Sequence, residues 1–182
     1  MHRLLGRVLR ERDRAGGQWD GTVSAALDLL EPLLFAEEQA WSRRREGAEL
    51  AAQVEALREA DTGPASADRD LAVRQLRAHS WTVRQLIAAA DLSRAIDAGA
   101  QALADAERVP GPDHPDTLGS RNNLAGACES AGRLGEAIPL YEQARAGRER
   151  VLGPDHPQTL TVRNNLAGAY ESAGRLGEAI PL

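Results

Sequence analysis

Two histidines stand beside aspartates at equivalent places in the chain, His114 after Asp113 and His156 after Asp155. Side chains of these types could contribute ligands to a metal ion. The two histidines are 42 residues apart, however, and no second His or Cys stands near either one at a coordinating spacing. Each is followed by proline, so we favour a role in turns and helix caps and expect neither a metal nor another cofactor.

Other residues that could carry out catalysis are few. Cys128 is the only cysteine, which excludes an internal disulfide and argues against a cysteine-based metal site. All 22 basic residues are arginines, so the lysine with which a P-loop reaches nucleotide phosphates is missing. No Ser/His/Asp arrangement and no paired-carboxylate motif is recognisable. The sequence therefore predicts a protein that is not an enzyme.

The chain is organised around a repeat. Residues 111–140 recur as residues 153–182, with 26 of 30 positions identical. The four differences are Asp116/Gln158, Gly119/Thr161, Ser120/Val162 and Cys128/Tyr170. A period of this length is typical of stacked supersecondary units, in which neighbouring units cover each other's apolar faces. The exchange of Cys128 for a tyrosine indicates a packing position rather than a reactive thiol.

Each copy contains the start and stop signals of two helices. Pro115 stands where the first helix begins, and Gly132 suits the left-handed cap that ends it. A second helix begins near Gly135, with Glu136 in its first turn, and ends at Gly153. The unit is helix, turn, helix and loop, so the sequence predicts an all-α fold.

A third, diverged copy precedes the other two. With the same 42-residue shift, Ala95 aligns with Ala137, and the first helix of this copy should run from about residue 70 to residue 90. Trp81 replaces Asn123 and Gly99 replaces Tyr141, so the packing there must differ. An atypical terminal repeat is what a stack requires, because its outer face has no neighbour.

The chain before the repeats is predicted to contain about three helices. Residues 2–15 form an arginine-rich amphipathic pattern, for which a solvated face packed beside the next helix is favoured over a contact with an acidic partner or with nucleic acid. A second helix begins near Asp20 and is interrupted at Pro32, with a short continuation over residues 35–40, and a third covers residues 43–60. The predicted division is an N-terminal helical segment, 1–62; a linker, 63–69; and a repeat array, 70–182, with repeats 70–110, 111–152 and 153–182.

Charge and hydropathy limit the partners and the location. The net charge is -5, which argues against a general affinity for nucleic acid or for an anionic membrane surface. No apolar run approaches the length of a membrane span, and the N-terminus lacks the apolar core of a signal peptide. We therefore expect a cytoplasmic protein.

Several blocks of the repeat resemble a known family. The Asn-Asn-Leu-Ala-x-Ala block at 122–127 and 164–169, the Gly-Arg-Leu-Gly-Glu-Ala-Ile-Pro-Leu block at 132–140 and 174–182, and the Leu-Gly-Pro-Asp-His-Pro joint resemble tetratricopeptide repeats of the 42-residue kinesin light chain type. The resemblance covers about residues 70–182. It implies a right-handed α-solenoid of antiparallel helix pairs that binds another protein or a peptide and has no catalytic activity of its own.

A second resemblance concerns the N-terminal part. The stretch from Met1 through Trp41 and Leu57 is similar to the helical region that joins the ATPase core to the repeats in bacterial signal-transduction ATPases of the NB-ARC/STAND type. The resemblance implies that this chain is the sensor or regulatory part of a larger signalling protein.

In the tetratricopeptide family, peptides lie along the concave surface formed by the first helix of each repeat. Helical spacing aligns two sets of residues for such a surface, Asn122, Gly126 and Glu129, and Asn164, Gly168 and Glu171. A glycine inside a helix costs about 1 kcal/mol relative to alanine, which the close approach of a helix or a bound chain would offset. We predict that this groove hydrogen-bonds an extended or helical peptide. The alternative is that the asparagines only bond neighbouring loops.

Helix packing is predicted from the small and apolar positions of the repeat. These are Leu124, Ala125, Ala137, Tyr141, Ala144, Leu166, Ala167, Tyr170 and Ala179. The last repeat lacks most of its second helix, so Leu166, Ala167 and Tyr170 should be incompletely covered. Self-association through this truncated repeat, as a filament or by helix exchange, is the alternative function.

Overall fold

A computed structural model describes residues 19–36, 39–60 and 68–179, and the regular structure of these ranges is helical. The helices are α1 (Trp19–Leu30), α2 (Arg44–Ala60), α3 (Arg69–Ala88), α4 (Leu92–Arg108), α5 (Pro115–Ser130), α6 (Leu134–Leu152), α7 (Pro157–Ser172) and α8 (Leu176–Ala179). None of them is both long and apolar enough to cross a bilayer. The helix predicted over residues 2–15 lies outside the described ranges.

The repeats are helix pairs, α3 with α4, α5 with α6, and α7 with α8. Only three residues separate the helices of each pair, and so short a connection requires the two helices to run antiparallel. Each helix from α2 onward packs on its successor, and the first helices α3, α5 and α7 also contact one another in that order. The pairs therefore stack in one direction, as the predicted solenoid requires.

The caps of the two near-identical copies have the same geometry. His114 and His156 are the N-cap residues of α5 and α7, and the Nδ1 atom of each accepts the backbone N–H two residues on, at 3.2 Å. Gly132 and Gly174 both have φ of +72° after the first helix ends. At Gly132 the backbone N–H donates to Glu129 O and the next N–H donates to Cys128 O, which is a Schellman cap. The cap roles predicted for these residues are confirmed.

The cap glycine gives a direct stability test. We expect Gly132→Ala to lower the free energy of unfolding by about 1 kcal/mol, because alanine is strained at positive φ. Gly135→Ala is the matched control, since a methyl group there meets open space within the first turn of α6. Urea unfolding should show a loss for Gly132→Ala and no loss for Gly135→Ala. Equal midpoints would contradict the assigned cap.

The N-terminal helices share a core with the first repeat. One buried cluster runs from Val23 and Leu27 in α1, through Leu50 and Val54 in α2, to Trp81 in α3. The helix α3 begins at Arg69, within the segment predicted as linker, and Asp68 caps it by accepting two backbone N–H groups. Packing is thus continuous across the position of that linker.

The segment after α1 differs from the predicted helix. Pro32 lies in a short 3-10 turn, and Leu34 is extended, so the predicted helical continuation over residues 35–40 is wrong for residues 35 and 36. The chain turns inward instead, and Phe35 packs edge-on against Trp81 with ring centroids 5.3 Å apart. The indole Nε1 of Trp81 also donates to Phe35 O at 2.8 Å. This contact explains the tryptophan of the diverged repeat.

Gly99 is explained by the helix that lies across it. A Cβ at this position would approach Leu124 Cδ1 to 3.2 Å. The tyrosine that occupies the equivalent place in the next repeat would collide with α5. In the diverged repeat, Leu124 of α5 therefore packs against Gly99, at the position that is equivalent to Tyr141 in the regular repeat.

Candidate functional site

A polar pocket lies along the side of the array formed by the first helices. Its volume is about 300 Å³. It is lined by Arg77, Ser80 and Arg84 of α3, by Pro115, Asp116, Gly119 and Asn123 of α5, by Arg148 of α6 and by Gln158 of α7. Three arginines and one aspartate give these walls a formal positive charge in a chain whose net charge is -5. We call this pocket the Arg148 groove.

Arg148 is the buried cation of this groove. Its side chain reaches α7, where Nη1 donates to Gln158 O at 2.7 Å, and the residue is only 8% exposed. The Nε atom is enclosed, and no described residue offers it a hydrogen-bond acceptor. Burial lowers the pKa of the guanidinium because it removes water from the charged form. A methyl group at Gly119 would still lie 3.9 Å from Nη2, so glycine leaves space beside the guanidinium.

Two other arginines also have an enclosed Nε atom, and each has a carboxylate within 4 Å. Arg121 pairs with Glu107 at 2.5 Å, and Arg145 lies 3.9 Å from Glu149. Arg148 has no such carboxylate among the described residues. A buried charge without a counter-ion is costly, since neither water nor an anion compensates it. The groove therefore holds an unneutralised cation next to open space.

Among the described residues that line the groove, Asp116 is the only one with a carboxylate. It stands in the first turn of α5, where a negative charge suits the helix dipole. Arg77 reaches it from α3 with Nη2 at 3.2 Å from Oδ2 and Nε at 3.3 Å from both carboxylate oxygens. The pair ties two repeats together at the mouth of the groove.

The predicted residues of the first copy contact both α6 and α7. Asn122 Oδ1 accepts a hydrogen bond from Asn165 Nδ2 of α7 at 3.1 Å. Glu129 accepts the phenolic hydroxyl of Tyr141 at 2.8 Å, and burial together with this bond raises the pKa of that tyrosine. Gly126 lies beside the same hydroxyl, to which an added Cβ would be 3.4 Å away. None of these three residues is among those that line the Arg148 groove.

The equivalent residues of the second copy lie on α7. Asn164 and Glu171 are exposed, and Gly168 is half-buried. A Cβ on Gly168 would meet nothing nearer than Glu129 Oε1 at 3.8 Å, so no neighbouring helix approaches closely enough to require glycine. Asn164 also lines an open groove on the outer side of α7. A role of the six residues in ligand binding stays a prediction.

Seven of the nine residues predicted at helix contacts belong to one buried cluster. They are Leu124, Ala125, Ala137, Tyr141, Ala144, Leu166 and Tyr170. Ala179 packs against the cluster while partly buried, and Ala167 lines the open side of α7. The incomplete cover expected for Leu166 and Tyr170 is not found, since they are 1% and 6% exposed.

Tyr170 shows how α7, the first helix of the last repeat, is covered. Its hydroxyl donates to Glu142 of α6 at 2.5 Å, and the guanidinium of Arg175 lies 4.8 Å above its ring. The helix α6 and the turn before α8 thus supply the missing contacts. Ala167 alone of the three residues keeps an open side.

The surroundings of His114, His156 and Cys128 favour structural roles for these side chains. In the described residues no group of three or more metal-ligating side chains comes together. Cys128 is buried in the cluster of helix contacts, and burial raises the pKa of its thiol. Its position therefore favours packing over thiolate chemistry.

Sequence reasoning missed Arg77, Arg84 and Arg148. One signal for them existed in the comparison of the copies: Asp116/Gln158 and Gly119/Thr161 are two of the four differences, and both first-copy residues line the groove. Arg148 also stands where the diverged repeat has Ala106. Its burial against α7 depends on how the repeats stack.

The fold and the sequence agree on the class of protein. The chain matches the tetratricopeptide repeat family over residues 85–150 and 119–182, more than half of its length, and it belongs to that family. A comparison with curated protein sequences found no match.

Solved structures of three similar chains have the same helical architecture. A Podosopora anserina protein described as a kinesin light chain with nearly identical TPR-like repeats is 25% identical, with a TM-score of 0.64 over 80% of this chain and 68% of that one. A single-substitution variant of that protein is 23% identical, with a TM-score of 0.70 over 91% and 73% of the two chains. BtubC (BKLC) from P. vanneervenii is 18% identical, with a TM-score of 0.67 over 96% and 67%. The latter two comparisons show the fold alone.

Proposed function

We propose that this chain binds an acidic segment of another protein in the Arg148 groove. Tetratricopeptide repeats generally serve as scaffolds for protein–protein interaction. The groove runs along the first helices of consecutive repeats, and its walls offer guanidinium, amide and hydroxyl groups to a polar chain. Among the side-chain groups of an unmodified peptide, a carboxylate is the one that matches both the charge and the forked geometry of a guanidinium.

The observation that carries the proposal is the buried, unneutralised guanidinium of Arg148. A bound carboxylate would supply the counter-ion that the described residues do not, and its hydrogen bonds would be charge-assisted. An amide or a hydroxyl would leave the charge uncompensated. The groove should therefore prefer glutamate or aspartate to their amide analogues.

Two synthetic peptides test this preference. One is a short fluorescein-labelled peptide rich in glutamate, and the other has glutamine at the same positions. Fluorescence polarisation should show binding of the first, weakened by salt, and much weaker binding of the second. Equal affinity for both would remove the assignment of charge recognition.

Gly168 lies on α7 between the predicted binding residues Asn164 and Glu171, and it allows a second test. We expect Gly168→Ala to raise the free energy of unfolding by about 0.5 to 1 kcal/mol, because alanine is the better helix former and has room there. The same change should lower the affinity for the glutamate-rich peptide if the ligand backbone passes over Gly168. Gly135→Ala is the control in urea unfolding and in polarisation. A Gly168→Ala protein with higher stability and unchanged affinity would show that the ligand does not pass this residue.

We further propose that the array is the sensor part of a larger bacterial, cytoplasmic signalling protein, divided at residues 63–69 from an N-terminal helical segment. The resemblance of the N-terminal stretch to the connecting region of signal-transduction ATPases supports it. The shared core of α1, α2 and α3 would transmit a change in the array to that segment. An ATPase assay on the full-length gene product should show a rate that changes with the glutamate-rich peptide. A constant rate would contradict the signalling role.

Self-association is the second candidate function. On the open side of α7, Leu160 is 48% exposed and lies in a groove with Thr161 and Ala167. In the first copy the equivalent Leu118 is fully buried. Light scattering over a concentration series should show dimers or filaments if this face pairs, and a monomer throughout would exclude it.

A further inference from the structure

The two near-identical copies differ where the groove passes. Asp116 and Gly119 line the Arg148 groove, and the second copy has Gln158 and Thr161 at these positions. Both copies keep the same N-cap, since His114 and His156 accept the N–H of Asp116 and of Gln158 at 3.2 Å. The helix start therefore forms with either side chain. The carboxylate of Asp116 is not needed for the cap itself.

The carboxylate instead acts on the groove. Asp116 is itself about three-quarters buried, whereas the Arg77 side chain that it holds is 67% exposed. Its three contacts with Arg77, at 3.2 to 3.3 Å, are at the long end of the range for hydrogen bonds. Because the guanidinium side of this pair is exposed, water and salt screen it and its contribution to stability is small. A competing anion could therefore displace it.

We propose that Asp116 is an internal competitor for the acidic ligand of the Arg148 groove, and that the residue at this position sets the affinity of the groove. This inference rests on the proposed function. The Asp116 carboxylate occupies Arg77 and places a negative charge in the pocket that a ligand carboxylate must enter. An acidic ligand can pair with Arg77 only after it has displaced the Asp116 carboxylate. A neutral ligand has no such competition.

The matched variant is Asp116→Gln, because the second copy shows that glutamine is compatible with this helix start. We expect it to bind the glutamate-rich peptide roughly three- to tenfold more tightly in polarisation, as a like charge is removed and Arg77 is released. The gain should shrink at high salt. Affinity for the glutamine peptide should not change. Asp113→Asn is the control, since it removes the same charge from a carboxylate that pairs with Arg150 and does not line the groove.

Arg77 decides between this account and a general charge effect. In the double variant Arg77→Gln/Asp116→Gln the gain should be mostly lost. Unchanged or weaker binding of the glutamate-rich peptide by Asp116→Gln, while the wild type binds it, would overturn the inference and leave the proposed function standing. An equal gain from Asp113→Asn would overturn it as well. If neither the wild type nor Asp116→Gln binds the peptide, the proposed function and this inference both fail.

Discussion

Replacing Gly147 by valine should lower the free energy of unfolding by about 2 to 3 kcal/mol, which is typical of overpacking a close-packed core. A Cβ at Gly147 would overlap Cδ2 of Leu118, and Leu118 is fully buried. Because Leu118 is enclosed, either α5 and α6 must separate or the leucine must leave its rotamer. Urea unfolding, with the slope compared between variants, measures the loss.

A second substitution at the contact provides the control. Leu118→Ala removes the atoms that collide, so the double variant Gly147→Val/Leu118→Ala should be more stable than the sum of the two single losses predicts. Gly168→Ala, on a helix face with room, should not destabilise at all. Additive losses in the double variant would mean that Gly147 and Leu118 are not in contact.

Replacing Arg148 by methionine should lower the affinity for the glutamate-rich peptide at least about tenfold. A loss of this size is expected when a charge-assisted hydrogen bond to a ligand is removed. The stability should stay constant or rise, because the variant no longer buries an unneutralised charge and methionine fills similar space. Fluorescence polarisation and urea unfolding on the same protein separate the two effects.

The control for this variant is Arg150→Met, two residues along α6. Arg150 pairs with Asp113 at the surface and does not line the groove. It should leave the affinity for the glutamate-rich peptide nearly unchanged although the net charge changes equally. An equal loss of affinity in both variants would mean that overall charge, not the guanidinium of Arg148, attracts the ligand.

Much of the fold could be predicted because its signals are local. Pro115 and Gly132 mark a helix start and a helix end through their own backbone preferences, and the structure places them there. The 42-residue shift places the same signals in the second copy. Repeats of this kind contact mainly their neighbours, so a correct unit gives a correct array.

The groove could not be predicted in the same way. Whether Arg148 is a solvated charge or a buried cation depends on the position of α7, which its own neighbours in sequence do not specify. The same holds for Phe35, which leaves a helical pattern because Trp81 offers a ring and an indole N–H from another helix. Helical spacing predicts that Asn122 and Glu129 lie on one line along α5, but which side of α5 faces α7 and which faces the groove depends on how the helices cross.

Site-specific photocrosslinking tests the binding groove most directly. A benzophenone amino acid would be placed at Asn123, inside the Arg148 groove, and in a second protein at Val151, which is exposed on α6 and does not line the groove. After irradiation with the labelled glutamate-rich peptide, the account predicts a crosslink from position 123 and none from position 151. Crosslinking from position 151 alone, or equally from both positions, would contradict it.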